Sequence, residues 1–271
     1  MTGQVYKWIG TRPNRPDGAD KVTGRARFGA DFNMPGQLVG RVLRSPHPHA
    51  RIVSIDTAAA AALPGVKAVV TAADFPEQEN IIVPAGEMQV NLRDVTRNIM
   101  AREKVLYEGH PVAAVAATTE AIAKQAVELI KVVYEELPHV IDVAAAMQDD
   151  APILHDHIRT EGVQPAPTKA SNIAKRVENL KGDVARGFAE AEVVIERSYT
   201  TQPVHQAYIE PHACLASAAE DGQVQVWTTT QGHFQVRGFC SRLLNIETSQ
   251  IRVTPSEIGG GFGGKTVVYL E

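Results

Sequence analysis

The sequence lacks the features that mark secreted, membrane-spanning or nucleic-acid-binding proteins. No run of about eighteen apolar residues is present, and the polar, proline-containing N-terminus has no apolar core of the signal-peptide type. The net charge of −4 leaves no basic surplus that would attract a phosphate backbone. We therefore expect a cytoplasmic protein with no membrane segment and no nucleic-acid partner.

Cysteine is also scarce. The sequence has 2 cysteines, Cys214 and Cys240, which lie in apolar surroundings and do not form a CxxC motif. A disulfide framework, a zinc site or an iron–sulfur cluster built by this chain requires more cysteines or a different spacing. Both residues are therefore predicted to be buried, reduced thiols.

What is present is the composition of a globular protein with about two domains, since 44% of the 271 residues are hydrophobic. Residues 1–19 are predicted to form an extended tail because of their prolines. Residues 20–145 are predicted to form an α/β domain. Its pattern indicates strands at 38–43, 52–55 and 66–71, a helix at 57–63, a buried strand at 111–117 and a helix from Thr119 to Glu136.

A linker is predicted at 146–180, where periodicity fades and prolines accumulate. Residues 181–271 then begin a second domain. Its predicted elements are a strand at 193–201, a hairpin turning at Asp221-Gly222 between 214–218 and 223–230, a helix at 234–244 and a strand at 251–253.

The glycine cluster at 259–264, followed by Lys265 and Thr266, admits three interpretations. It fits the phosphate-loop pattern GxxxxGK[ST], which would indicate a nucleotide-binding protein. Against this hypothesis, residues 254–257 separate the cluster from the preceding strand, whereas a phosphate loop follows its strand directly. A purely structural turn is the second interpretation, and a loop that binds a different cofactor is the third.

The third interpretation is supported by a family resemblance carried by motifs that span nearly the whole chain. GGGFGGK at 259–265, about thirty residues after Thr-Thr-Gln at 229–231, resembles the cofactor loop of the molybdenum hydroxylases, the xanthine dehydrogenase and aldehyde oxidase family. The motifs at 20–28, 44–52, 109–115 and 134–138 resemble the N-terminal a/b hammerhead domain of the molybdenum-binding subunit. Those at 182–191 and 209–212 resemble the start of its molybdopterin-binding domain.

The resemblance implies an α+β fold, with a hammerhead domain followed by the beginning of the molybdenum-cofactor-binding domain. It also implies a molybdopterin cofactor with molybdenum, in the cytosine dinucleotide form, and no metal ligand from the protein. Iron–sulfur clusters and FAD would lie on partner subunits. The expected reaction is oxidative hydroxylation of an aldehyde or an electron-poor aromatic heterocycle, with water as the oxygen source.

The same resemblance assigns roles to particular residues. Gln231 matches the glutamine whose amide donates a hydrogen bond toward the metal's oxo group. Gly261, Phe262 and Gly263 match the loop that approaches the metal's ligands. Thr266 is a substrate-pocket candidate, at a position where purine-oxidising members typically carry a glutamate. The general-base glutamate would lie beyond residue 271, so this chain alone is expected to be inactive.

Other polar residues are predicted to be structural. His47 and His49 are expected in a surface loop, and four further histidines are expected to be solvated or hydrogen-bonded (His155, His157, His205 and His212). Glu210 and Glu220 carry no evident function. An alternative hypothesis is a docking subunit that completes a split molybdenum site on the remaining part of the molybdenum subunit.

Overall fold

The computed structural model describes residues 6–85 and 88–268. In chain order the elements of the first half are α1 (Gly18–Thr23), β1 (Val39–Arg44), β2 (Ala50–Asp56), α2 (Ala58–Ala61), β3 (Val66–Thr71), β4 (Ile82–Ala85), β5 (Met88–Asn91), α3 (Leu92–Ile99), β6 (Lys104–Val105), β7 (Pro111–Ala117), α4 (Glu120–Leu129), β8 (Lys131–Glu136) and α5 (Val143–Ala146). The second half contains α6 (Val184–Glu190), β9 (Cys214–Ala218), β10 (Val224–Thr228), α7 (His233–Leu244) and β11 (Ile251–Pro255). Within the described ranges, no helix has the length and apolar character needed to cross a bilayer.

The first sheet has the strand order β1-β7-β3, and both outer strands are antiparallel to the central strand β7. Strand β7 is the apolar run predicted at 111–117, and it is almost entirely buried. Helices α2 and α4 pack on this sheet through a cluster of small and branched side chains (Ala60, Ala113, Val115, Ala117, Ala123, Ala126 and Ile130). Because most of these side chains are alanine, the helices can lie close to the sheet.

Helix α4 begins as predicted, since the Thr119 side chain accepts a hydrogen bond from the Ile122 N–H at 3.2 Å. The prediction that it continues to Glu136 is wrong. The helix ends at Leu129, and residues 131–136 form β8, which pairs antiparallel with β2. Two valines and a tyrosine in this stretch favour an extended strand once β2 offers a partner, although their spacing also fits a helix.

A second sheet, with the order β6-β2-β8, lies beside the first and shares its core through Ala50, Val105 and Val112. His110, just before β7, is fully buried. Its Nδ1 accepts a hydrogen bond from the Leu106 N–H at 3.2 Å, and its Nε2–H donates to the Arg97 carbonyl at 2.8 Å. These two bonds require the neutral imidazole, and burial lowers the pKa of His110.

In the described part of the predicted tail at 1–19, residues 6–17 form no helix or strand, and α1 begins at Gly18. Lys21 stabilises this turn by an ion pair with Asp17 at 3.0 Å, and it also pairs with Glu257 at 2.9 Å. The Glu257 N–H donates to the Arg27 carbonyl at 3.0 Å. The N-terminal segment therefore packs against the second half of the chain.

Residues 147–183 contain neither helix nor strand apart from an isolated bridge between Glu161 and Lys175. Asn172 fixes this segment against the end of α5. Its Nδ2 donates to the carbonyls of Ala146 at 3.1 Å and Pro152 at 2.9 Å. The domain boundaries predicted at 145 and 180 remain a prediction.

The last sheet has the order β11-β10-β9 and carries the glycine cluster at one end. Strands β9 and β10 form the predicted antiparallel hairpin, and Gly222 in its turn has a φ of 82°. Strands β10 and β11 are parallel, and the predicted helix α7 connects them. The end of β10 and the end of β11 therefore lie at the same edge of the sheet.

Two predictions for the second half are wrong. Residues 193–201 form no strand, because no described segment pairs with their backbone groups. Cys214 is exposed rather than buried, since it begins the outer strand β9, and Cys240 on α7 is only partly buried. Both cysteines are thiols, as predicted.

Candidate cofactor-binding site

The glycine cluster forms a compact loop after β11. Its backbone enters the left-handed region at three residues, Gly260, Phe262 and Gly263, with φ values of 95°, 47° and 88°. A tight turn closes the loop through the Gly264 N–H, which donates to the Gly261 carbonyl at 2.7 Å. Phe262, the one residue of the three with a side chain, is strained there and is 71% exposed. The loop therefore presents its apex to the surface.

The inner side of the loop is packed so closely that an added side chain at Gly259 or Gly261 would displace its neighbours. A Cβ on Gly261 would lie 2.6 Å from Oε1 of Gln231, and a Cβ on Gly259 would lie 2.5 Å from Cβ of Glu210. A Cβ on Gly263, by contrast, would meet no atom within 4 Å. The glycines thus serve close packing on one side and leave open space on the other.

Gln231 is the side chain that supports the loop from the end of the neighbouring strand. Its Oε1 accepts hydrogen bonds from the Gly263 N–H at 3.0 Å and the Lys265 N–H at 3.3 Å. Its own backbone N–H donates to the Lys265 carbonyl at 2.8 Å. The structure therefore brings Gln231 together with Gly261 and Gly263, although the two glycines follow it by 30 or more residues in the sequence.

The amide of Gln231 is oriented by these bonds. Because Oε1 is held by the loop, Nε2 is the end of the amide that remains for a ligand, and it has no partner within the described part of the chain. The Phe262 N–H likewise has no acceptor among the described residues. The exposed face of the loop therefore offers neutral hydrogen-bond donors.

Glu210 and Lys265 support the glycine loop from its buried side. The sequence did not indicate this role for Glu210. Oε2 of Glu210 accepts from Nζ of Lys265 at 2.9 Å and from the Gly259 N–H at 2.7 Å. Oε1 accepts from the Gly29 N–H at 3.1 Å. Nζ of Lys265 also donates to the Glu210 carbonyl at 2.8 Å. One carboxylate thus joins three segments of the chain.

The burial of Lys265 excludes the phosphate-loop hypothesis. Its side chain is 1% exposed and its Nζ points inward to Glu210 and lies 4.8 Å from the centre of the Tyr208 ring. A phosphate-loop lysine instead reaches the ligand, and a helix follows it. Residues 265–268 form no helix. The lysine therefore belongs to the support of the loop.

Thr266 lies just behind the apex of the loop. Its Oγ1 donates to the Gly263 carbonyl at 3.0 Å, and the residue is partly buried. The hydroxyl thus restrains the loop at Gly263, the residue whose N–H donates to Gln231. Thr266 therefore adds a neutral, hydrogen-bonded hydroxyl beside Gly263 and no charge.

The other histidines near the site are hydrogen-bonded, as predicted. Nε2 of His212 bonds the Tyr208 hydroxyl at 2.8 Å, and Nδ1 of His205 accepts from the Ala207 N–H at 3.0 Å.

The prediction of a surface loop is wrong for His49, which is 5% exposed and bonds the Pro138 carbonyl through Nδ1 at 2.7 Å. The His49 carbonyl also accepts from the Leu137 N–H at 3.0 Å, so His49 is bonded on both its ring and its backbone to the segment after β8.

The neutral donors on the exposed face fit an anionic cofactor whose metal brings its own ligands. Backbone N–H groups and a glutamine amide stabilise oxygen and sulfur ligands without replacing them. The open space above Gly263 allows a bulky group to approach the backbone. The arrangement does not resemble a metal site built from protein side chains.

Comparison with known proteins agrees with this geometry. Residues 23–138 match the family model described as "Aldehyde oxidase and xanthine dehydrogenase, a/b hammerhead domain". Residues 163–271 match the model "Molybdopterin cofactor-binding domain". The two matches cover the hammerhead sheets and the glycine loop.

Several relatives align over nearly the whole chain. A probable xanthine dehydrogenase subunit from Bacillus subtilis is 35% identical over 259 residues, covering 95% of this chain and 32% of the relative. The carbon monoxide dehydrogenase large chain of Afipia carboxidovorans is 35% identical over 266 residues, covering 96% and 32%. The chain therefore spans about a third of the length of these relatives.

The fold is also that of solved molybdenum hydroxylases. Quinoline 2-oxidoreductase from Pseudomonas putida superposes with a TM-score of 0.79 at 33% identity, covering 95% of this chain and 31% of that one. The carbon monoxide dehydrogenase from Oligotropha carboxidovorans gives a TM-score of 0.76 at 35% identity, covering 96% and 32%. With both family models and these structures in agreement, the chain belongs to the xanthine dehydrogenase and aldehyde oxidase family of molybdenum hydroxylases, as an N-terminal segment of its molybdenum-binding subunit.

Proposed function

We propose that this chain supplies the hammerhead domain and the first part of the cofactor site of a molybdenum hydroxylase. The observation that carries the proposal is the convergence of the Gln231 amide with the loop at Gly261–Gly263. When bound, molybdopterin with its molybdenum, in the cytosine dinucleotide form, supplies the two-electron oxidation and the delivery of a water-derived oxygen to the substrate carbon.

The contribution of this chain is to position hydrogen-bond donors. Gln231 is anchored through Oε1 by two loop N–H groups, so its Nε2–H2 has a fixed direction. A neutral donor that is already oriented stabilises negative charge developing on oxygen without reorganisation during the reaction. The N–H groups of the loop apex would approach the cofactor from the same side, with Phe262 forming part of the wall.

The absence of charge at Thr266 supports a substrate other than a purine. Its hydroxyl is bonded to the loop, so the position offers no carboxylate to hold a purine. We therefore propose an aldehyde or an electron-poor aromatic heterocycle as substrate. Relatives named as quinoline 2-oxidoreductase and nicotinate dehydrogenase support a heterocycle.

The enzyme would need further polypeptide. The relatives described above are about three times as long as the matched region, and several relatives are named as subunits of larger enzymes. We propose that the remaining part of the molybdenum subunit supplies the general-base glutamate, and that iron–sulfur and FAD subunits carry the electrons away. Val193, Ile195 and Ile209 are 75%, 73% and 95% exposed, which supports coverage of this segment by such a partner.

The experiment that tests this function is to purify the chain with its native partners and to measure molybdenum content and turnover of aldehydes and N-heterocycles. Gln231→Leu should keep the molybdenum and lower kcat by roughly 100- to 1,000-fold, the cost of removing one such donor. Gln223→Leu, at an exposed position in the β9–β10 hairpin, is the matched control and should leave kcat unchanged. A complex without molybdenum, or a Gln231→Leu enzyme with normal kcat, would refute the proposal.

A further inference from the structure

A polar cleft of about 750 Å³ lies in the hammerhead half of the chain, remote in sequence from the glycine loop. It is lined by α3, β6 and the segment that follows Asp150. Three side-chain atoms in its lining are buried without a hydrogen-bond partner, namely Nε2 of His49, Nε of Arg93 and Oδ1 of Asp94. Buried polar atoms are seldom left unpaired, so the two acceptors among them, Nε2 of His49 and Oδ1 of Asp94, have unused capacity for a ligand.

Asp94 is the centre of the unpaired group. Nε2 of His157 lies 2.9 Å from Oδ1 and 3.1 Å from Oδ2 of Asp94, but only Oδ2 is oriented to accept its hydrogen bond. Oδ1 therefore keeps a lone pair in a site where the side chain is 22% exposed. A single hydrogen bond between aspartate and histidine does not use the capacity of this carboxylate.

His155 completes the group. The ligand atoms of Asp94, His155 and His157 all lie within 4.8 Å of one another. The two imidazole rings are nearly perpendicular, at 88°, with centroids 5.8 Å apart. Ligands about 2.0–2.2 Å from a common ion are separated by somewhat less than this distance, so small side-chain rotations would bring all three into contact with one ion.

We propose that Asp94, His155 and His157 bind one divalent transition-metal ion, preferentially Zn²⁺, with water from the cleft as the remaining ligand. Two imidazoles and one carboxylate are ligands that Zn²⁺ takes readily, whereas Ca²⁺ and Mg²⁺ prefer a shell of oxygen atoms. His49 lines the same cleft, and its Nδ1–H is held by the Pro138 carbonyl at 2.7 Å. Its Nε2 is therefore an acceptor for water in the cleft.

The surrounding charges leave Asp94 available for the ion. Arg97 is paired with Glu103 at 2.8 Å, and Lys104 is paired with Asp156 at 3.4 Å. The other cationic residues of the lining are Arg51, Arg93 and Arg102, and its other carboxylate is Asp150. No arginine or lysine of the described chain forms an ion pair with Asp94, so its carboxylate need not be displaced from a cation before it binds the metal.

The ion would link two parts of the chain that no strand pairing joins. Asp94 lies on α3, and His157 lies 63 residues later in the segment without regular structure. A metal that binds both closes this loop in the folded state only, and it therefore stabilises the fold increasingly as its concentration rises. The proposed role is structural, and it is independent of the molybdenum chemistry.

The test is titration of the chelator-treated protein with Zn²⁺ by calorimetry, together with the ligand-field absorption of the Co²⁺ form. We expect one Zn²⁺ per chain, a micromolar or lower Kd and a raised Tm in the presence of metal. Asp94→Asn, His155→Asn and His157→Asn should each weaken binding at least tenfold. His139→Asn, an exposed histidine outside the cleft, should bind as the unaltered protein does.

His155→Asn keeps the test decisive if the other two variants fail to fold. The side chain of His155 makes no hydrogen bond with any described residue, and its backbone carbonyl accepts from the Ile158 N–H at 3.2 Å, so His155→Asn removes a ligand and keeps the bond that holds the segment. Absence of Zn²⁺ binding to the folded protein, or binding that is unchanged in His155→Asn, would overturn the proposal.

Discussion

Nζ of Lys265 lies 2.9 Å from Oε2 of Glu210, and the lysine side chain is entirely buried while that of the glutamate is 12% exposed. The same carboxylate binds the backbone of Gly29 and Gly259. The ion pair therefore connects the N-terminal segment, the residues before β9 and the glycine loop. Its strength should determine whether the loop keeps its conformation.

Lys265→Met should lower the free energy of unfolding by about 3–5 kcal/mol, because it leaves the Glu210 carboxylate buried without its cation. Denaturant unfolding followed by circular dichroism measures the change. Lys175→Met is the control, since Lys175 pairs with Glu161 at 3.6 Å while both side chains are more than half exposed. If both variants lost the same free energy of unfolding, burial would not explain the contribution of the Lys265–Glu210 pair.

The double variant Glu210→Leu with Lys265→Met should be more stable than the sum of the two single losses predicts. Removing both charges removes the cost of the uncompensated partner, and neighbouring substitutions of this kind are not additive. The free energy of unfolding of all four proteins gives the coupling. Strict additivity would show that the two side chains do not interact.

Gly261→Ala should displace the Gln231 side chain, because the added Cβ would lie 2.6 Å from its Oε1. We expect a loss of about 1–3 kcal/mol in the free energy of unfolding, typical of overpacking, and reduced molybdenum content in the purified complex. Gly238→Ala in α7 is the matched control, since a Cβ there meets no atom within 4 Å. It should stabilise the helix by about 0.5–1 kcal/mol, and a similar loss in both variants would contradict the packing argument.

Acidification should destabilise the hammerhead half through His110. Burial holds the pKa of His110 below its ordinary value in the folded state, so below about pH 6.5 the unfolded chain binds a proton that the folded chain does not. The free energy of unfolding must then decrease as the pH falls, by up to about 1.4 kcal/mol per unit. At neutral pH and above, this contribution to stability is fully present.

His110→Gln removes this titration while His155, whose pKa burial also lowers, remains in both proteins. We expect the variant to be less stable at neutral pH, because two hydrogen bonds are altered, but to lose less stability on acidification. Urea unfolding at several pH values measures the two slopes. Parallel slopes would mean that His110 does not titrate in the unfolding reaction.

The two thiols should react at different rates. Burial raises the pKa of Cys240, which lowers its thiolate fraction, whereas Cys214 is exposed on β9. Near neutral pH, iodoacetamide should modify Cys214 at least tenfold faster, as followed by peptide mass spectrometry. In guanidinium the two rates should converge. Faster labelling of Cys240 than of Cys214 in the native protein would contradict the conclusion that Cys240 is shielded by burial.

Local patterns in the sequence are sufficient to predict β7, the start of α4, the β9–β10 hairpin and α7. For β7, α4 and the hairpin, a buried apolar run, a cap and a turn residue respectively specify the element without reference to distant residues. The end of α4 is not predictable in this way, because Ile130 and Val133 continue the helical spacing. Only the pairing of β8 with β2 makes this stretch a strand.

The candidate site likewise has features that the sequence predicts and features that it does not. The glycine loop and Gln231 are recognisable from their motif, whereas the partnership of Lys265 with Glu210 spans 55 residues and leaves no periodic signal. Asp94 and His157 are 63 residues apart, so the sequence around His155 and His157 predicts no carboxylate neighbour for them. Such contacts depend on tertiary folding and not on local propensity.

The parallel pairing of β10 with β11 has a consequence for how the site tolerates change. The last paired residues, Thr228 and Pro255, are in register, so Gln231 and the glycine loop follow strands that are roughly 4.8 Å apart. The hydrogen bonds between β10 and β11 thus set the distance between the Gln231 amide and the glycine loop. Helix α7 connects β10 and β11. Changes in its length, or substitutions on its outer face, can therefore accumulate during evolution while Gln231 and the glycine loop keep their alignment.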